Sequence, residues 1–128
     1  MNKTQNFQGL IVWQKAHKLV LSVYDLTKDF PKHEIYGLVS QMRRSSVSVA
    51  ANIAEGYRKR GLLDKVRFLN IAEGSLDELQ YYLVLTRDLK YLNDNYEELM
   101  KLVNEVSKLL NAYSNAIKVK HNSKTPVS

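Results

Sequence analysis

YEELMKLVNEVSKLLNAYSNAI, residues 96–117, sets Tyr96, Leu99, Val103, Val106, Leu110, Tyr113 and Ile117 at alternating spacings of three and four. That is the period of an α-helix with a single apolar stripe. A stripe of this length cannot bury itself, so the segment needs other helices to cover it. Just upstream, Asp94 and Glu97 have the spacing of a capping box, which starts a helix by satisfying its first free N–H groups.

Three further segments carry the same period. Residues 9–28 place Trp13, Ala16, Val20, Tyr24 and Thr27 on one stripe and stop before Pro31, since the residue preceding a proline is pushed out of the helical region. Residues 34–59 carry Leu38, Met42, Val49 and Ile53, with Gly61 read as the closing residue. Residues 63–90 carry Val66, Leu69, Ala72, Leu76, Leu79 and Leu83. The links around Pro31, Gly61 and Asn93 are short, and short links make consecutive helices antiparallel neighbours. The expected fold is therefore all-α: an antiparallel up-down-up-down four-helix bundle, oligomeric for reasons given below. Residues 1–8 read as an N-terminal tail, 9–118 as the bundle and 119–128 as a disordered basic C-terminal tail.

Composition narrows the chemistry. A chain of 128 residues suits one domain with a real core. The absence of cysteine excludes disulfides, thiolate metal sites and a cysteine nucleophile. Two prolines and five glycines argue against a turn-rich β fold. Lys15, His17 and Lys18 interrupt the N-terminal apolar run, and no stretch reaches the roughly 20 apolar residues of a membrane span. The expected location is the cytoplasm, with no membrane partner. The net charge of +6 is unevenly spread. Residues 43–67 hold seven basic and two acidic side chains, residues 68–105 hold three and eight, and residues 106–128 hold four lysines and no acid. Basic clusters of this kind attract polyanions, although on helices they also serve simply as a solvated face.

The second helix departs from surface-helix patterning. Ten uncharged residues, SSVSVAANIA, lie between Arg44 and Glu55. Opposite the core stripe fall Ser40, Val47, Ala51 and Ala54, where Lys and Glu would normally stand. Small residues admit a second backbone. The third helix has an extra apolar stripe through Phe68, Ile71, Tyr82 and Leu85. A thick, well-covered bundle accounts for this; so does a subunit interface, because apolar patches of this size rarely stay exposed. The second reading makes these eight residues a self-association surface.

No Glu is followed three residues later by His, so the bundle lacks the di-iron signature. His17, His33 and His121 are scattered, and there is no phosphate loop, nucleophile elbow or zincin motif. The expectation is a protein without catalytic residues, metal or cofactor. What remains is the basic set Arg43, Arg44, Arg58, Lys59, Arg60, Lys65 and Arg67. Arginines fork onto phosphate oxygens, and Tyr57 beside Arg58 offers a stacking face, although a tyrosine at a helix end more often serves packing. No base-reading motif accompanies them, so binding should follow shape and backbone and be salt-sensitive.

Five stretches carry a resemblance: LIVWQKAHKL (10–19), VYDLTKDFP (23–31), YGLVSQMRRS (36–45), SVAANIAEG (48–56) and RFLNIAEGSLDEL (67–79). In them the chain resembles the four-helix-bundle family of 23S rRNA-intervening sequence proteins, which includes accessory proteins of diversity-generating retroelements. The resemblance implies a ring-like homopentamer. It also implies contact with nucleic acid and a reverse transcriptase or ribonucleoprotein through a basic surface, with Arg43, Arg44 and Arg67 falling inside the matching motifs. The functional expectation is a non-enzymatic oligomeric bundle that binds structured RNA or nucleoprotein. The alternative is a protein–protein scaffold whose basic face docks an acidic protein partner.

Overall fold

The structure, a computed structural model, describes residues 6–124, with side chains through 121. Four helices make up the fold and no strand occurs among the described residues: α1 Ile11–Thr27, α2 Ser40–Arg58, α3 Leu62–Asp88 and α4 Asn95–Lys124. Each helix packs on two others, α1 on α2 and α4, and α3 on α2 and α4, which closes a four-cornered bundle. Chain reversal puts the start of α1, the end of α2, the start of α3 and the end of α4 at one end of the rod.

The core stripes of α3 and α4 are those the periodicity picks out. Leu69, Ala72, Leu76, Leu79 and Leu83 meet Leu99, Val103, Val106 and Leu110, all buried; Val66, Tyr96, Tyr113 and Ile117 are half-buried at the edges. Helix α1 differs. Its buried face is Val12, Ala16, Leu19, Val23 and Thr27, so only Ala16 and Thr27 of the predicted stripe point fully inward. Trp13 and Val20 are half-buried and Tyr24 is exposed. Two adjacent arcs of α1 are apolar, and only the position of α4 and α2 decides which turns inward.

The second helix begins later than its periodicity suggests. A 3₁₀ turn, Lys32–Glu34, leads into a π-helical turn, Ile35–Val39, before α2 proper. The break is at Gly37, whose φ of −107° and ψ of −110° lie outside the helical region. The Glu34 carboxylate accepts a hydrogen bond from the Leu38 N–H at 3.4 Å across this turn. Along α2, Met42, Val49 and Ile53 are buried as expected, together with Ser45, Ser46, Ala50 and Gly56. The two serines enter the core satisfied: Ser45 Oγ donates to the Met42 carbonyl at 3.2 Å and Ser46 Oγ to that of Arg43 at 2.9 Å.

Gly61 does not close α2. Lys59 is the C-cap of α2, and Gly61 is the N-cap of α3 with extended backbone. The glycine that matters is Gly56. A Cβ there would lie 3.3 Å from Phe68 Cβ and 3.4 Å from both Leu69 Cδ2 and the Lys65 carbonyl oxygen. Lys65 completes the joint: its ammonium donates to the carbonyls of Gly56 at 3.2 Å and Tyr57 at 2.9 Å in the last turn of α2, where the Gly56 carbonyl also accepts from the Lys59 N–H.

Helix α3 ends in a Schellman turn built on Lys90, whose φ is +65°. The Tyr91 N–H donates to the Thr86 carbonyl and the Lys90 N–H to that of Arg87, both at 2.9 Å. A side chain in this region is strained by about 1 kcal/mol relative to glycine. Lys90→Gly is accordingly expected to raise the unfolding free energy by about 0.5–1 kcal/mol, a few degrees in a thermal melt followed by circular dichroism. An unchanged or lowered midpoint would mean that the lysine is tied down by something other than the turn.

Helix α4 runs through Lys124, so the boundary drawn at 118 falls inside a helix and residues 119–124 are not a disordered tail. Residues 125–128, like 1–5, lie outside the described residues. At the N-terminus a 3₁₀ turn, Phe7–Gly9, is capped by the Asn6 side chain, which accepts from the Gln8 N–H, and Phe7 packs edge-on against Trp13 with centroids 5.1 Å apart. The bundle's chain therefore begins before residue 9.

Candidate nucleic-acid interface

The turn between α2 and α3 gathers five of the seven predicted basic residues. Arg58 and Arg60 are exposed and make no hydrogen bond or ion pair with the described residues. Lys59 reaches Glu55 at 3.8 Å and lies over the Phe68 ring at 5.1 Å. Arg67 pairs with Asp64 at 3.6 Å and also lies over the Phe68 ring, at 5.2 Å. These are exposed, weak pairs that a phosphate can displace. Lys65 is different, since its ammonium is already spent on the end of α2, and burial holds its pKa below the usual lysine value.

Arg43 and Arg44 stand toward the far end of the rod. Arg44 is exposed. Arg43 is engaged within the protein: its Nε donates to Thr27 Oγ1 at 2.9 Å, a terminal nitrogen donates to the Tyr24 carbonyl at 3.4 Å, and the guanidinium lies over the Tyr24 ring at 4.6 Å. Its geometry is that of a brace between α2 and the end of α1. That opposite end is also where acid collects, with Asp94, Glu97 and Glu98 at the start of α4 and Asp25 near the end of α1.

The end of α4 adds what the sequence reading left outside the site. A groove of about 380 Å³ runs between the α2–α3 turn and the last turns of α4. Tyr57, Arg60 and Lys65 form one wall, and Tyr113, Lys120 and His121 form the other. Burial pushes the Tyr113 phenol above its ordinary pKa, and Tyr57 adds to the shift. The signal for this wall in the sequence is the lysines of residues 106–128, which form part of it only because α4 stays helical through Lys124.

The predicted self-association residues divide. Val47, Ala51 and Ala54 line an apolar groove of about 260 Å³ with Trp13, Val20 and Phe7. Ile71 is 45% exposed and Ser40 exposed. Phe68 lies beneath its two cations, while Tyr82 and Leu85 are half-buried, Tyr82 against the core. Among the described residues no group of three or more His, Asp or Glu side chains could hold a metal ion, and no helix is long and apolar enough to cross a membrane.

Residues 8–112 match the family described as 23S rRNA-intervening sequence protein. A solved structure of a protein of unknown function from the S23 ribosomal protein family of Bacteroides thetaiotaomicron VPI-5482 superposes with a TM-score of 0.76. The two chains are 26% identical, over 82% of this chain and 96% of that one. No curated protein matches the chain.

Proposed function

The chain belongs to the 23S rRNA-intervening sequence protein family, and from that premise we propose that it is a non-catalytic, self-associating bundle that binds structured RNA through its basic end. The observation that carries this reading is the meeting of the end of α2, the start of α3 and the end of α4 at one end of the rod, where Arg58 and Arg60 stand exposed with no intramolecular partner among the described residues. Phosphates on a folded RNA offer such arginines forked hydrogen bonds, and the counterions they release make the affinity fall steeply with salt.

Self-association rests on the apolar groove around Ala51. A second copy covering it would remove Trp13, Val47 and Ala51 from water together, and the ring of five that the family resemblance implies is the assembly proposed. A docked acidic protein is the second reading, since the same arginines would serve it.

Light-scattering mass separates these readings, measured with and without a hairpin RNA at low and high salt. An assembly near five protomers is expected, along with RNA binding that weakens steeply with salt. Arg58→Glu with Arg60→Glu should weaken the hairpin by about tenfold and leave the mass unchanged. Ala51→Glu should lower the mass without unfolding the bundle, because the residue is exposed in the single chain. A monomer that ignores RNA at low salt would sink both halves of the proposal.

A further inference from the structure

The groove between the α2–α3 turn and α4 sets two tyrosines among its cations. Arg60, Lys65, Lys120 and His121 line it with Tyr57 and Tyr113, and among the described residues no Asp or Glu lines it. At about 380 Å³ it is the size of a small-molecule pocket, far too narrow for a duplex about 20 Å across. Its floor is fixed in advance. Lys65 holds the backbone of Tyr57 through its carbonyl at 2.9 Å, and Tyr113 is packed against the core by the same heptad that builds α4.

A duplex exposes phosphates and groove edges, whereas the face of a base is open only where the strand is unpaired, and recognition of unpaired bases works by stacking on aromatic rings. An acidic peptide would satisfy the cations but leave the aromatic walls unmatched. Resting on the nucleic-acid reading above, we infer that this groove takes a single unpaired nucleotide, its base against the tyrosines and its phosphate on Arg60 and Lys120. The exposed arginines outside the groove then hold the folded part of the same RNA, and the protein recognises a junction between paired and unpaired strand.

The test compares a blunt hairpin RNA with the same hairpin bearing a short 3′ single-stranded extension that contains 2-aminopurine. The extension is expected to tighten binding by about tenfold and the 2-aminopurine fluorescence to be quenched on binding. Tyr57→Leu should abolish both effects while the blunt hairpin binds as before. Lys120→Glu, an exposed substitution that leaves the core untouched, should remove most of the gain from the extension and keeps the test valid if the tyrosine variant folds poorly. A blunt hairpin that binds equally well, with no gain from the extension, would overturn the groove and leave the RNA reading standing. A gain that survives both substitutions, or comes without quenching, would place the unpaired strand elsewhere. Binding of neither RNA would remove the inference together with the reading beneath it.

Discussion

Gly56→Val is expected to lower the unfolding free energy by about 3 kcal/mol, at the upper end of what overpacking a close-packed core costs. Gly56 is buried in the last turns of α2, where α3 comes so near that even a Cβ would stand 3.3 Å from Phe68 Cβ. One neighbour is the Lys65 carbonyl oxygen at 3.4 Å, and backbone held in a helix cannot swing aside as a side-chain tip can. Alanine sits near balance, because the tight contact opposes the roughly 1 kcal/mol by which alanine exceeds glycine in a helix interior. Valine adds two methyl groups with no space to receive them. Urea unfolding followed by circular dichroism should therefore show Gly56→Ala within about 1 kcal/mol of the parent and Gly56→Val well below it. A valine variant as stable as the alanine one would show that α2 and α3 have room to part. Because Lys65 ties the same two turns through the Gly56 and Tyr57 carbonyls, parting them also spreads the wall of the basic groove.

Arg43→Ala is expected to cost about 2 kcal/mol of stability and to leave RNA affinity within about twofold of the parent. The size follows from a hydrogen bond with a charged donor, commonly about 1.5–3 kcal/mol, discounted because the guanidinium is only half-buried. Thr27 is its buried partner: its hydroxyl donates to the Val23 carbonyl at 2.7 Å while accepting from Arg43 Nε. Arg43→Lys should lose nearly as much as alanine, since an ammonium lacks the fork that engages Thr27 and the Tyr24 carbonyl together while lying flat over the Tyr24 ring. Combined with Thr27→Val, the losses should be less than additive by about 1 kcal/mol, the signature of groups acting as one unit. Normal stability with RNA binding reduced tenfold would return Arg43 to the phosphate-binding set.

These two sites mark where reading the chain alone went furthest and where it stopped. Gly56 lies inside SVAANIAEG, the densest of the motif stretches, and the small residues there signal a close approach of backbones. Which backbone approaches is a matter of packing: on one face it is α3 of the same chain at Gly56, Ser48 and Ser75, whose hydroxyls meet at 2.7 Å. Arg43 and Arg44 are adjacent in sequence and identical in charge, yet about 100° apart on the helix. One finds Tyr24 and Thr27 within reach and the other faces solvent.

The sequence by itself determined that there are four helices, the stripes of α3 and α4, the short links around Gly61 and Asn93 and hence the four-helix bundle, together with the family. Each of these follows from residues within a turn or two of one another, and the 3.6-residue period is written at that range. The link around Pro31 is longer than the sequence suggested, running over residues 28–39. Only the tertiary structure decided which of two apolar arcs of α1 faces inward, where the Gly37 break delays α2, and that α4 carries on to Lys124. It alone also brought Tyr57 and Arg60 opposite Tyr113 and Lys120. Contacts between residues so far apart in the chain depend on the packing of whole helices. No local pattern encodes that, because the same stripe is satisfied by any apolar surface that fits it.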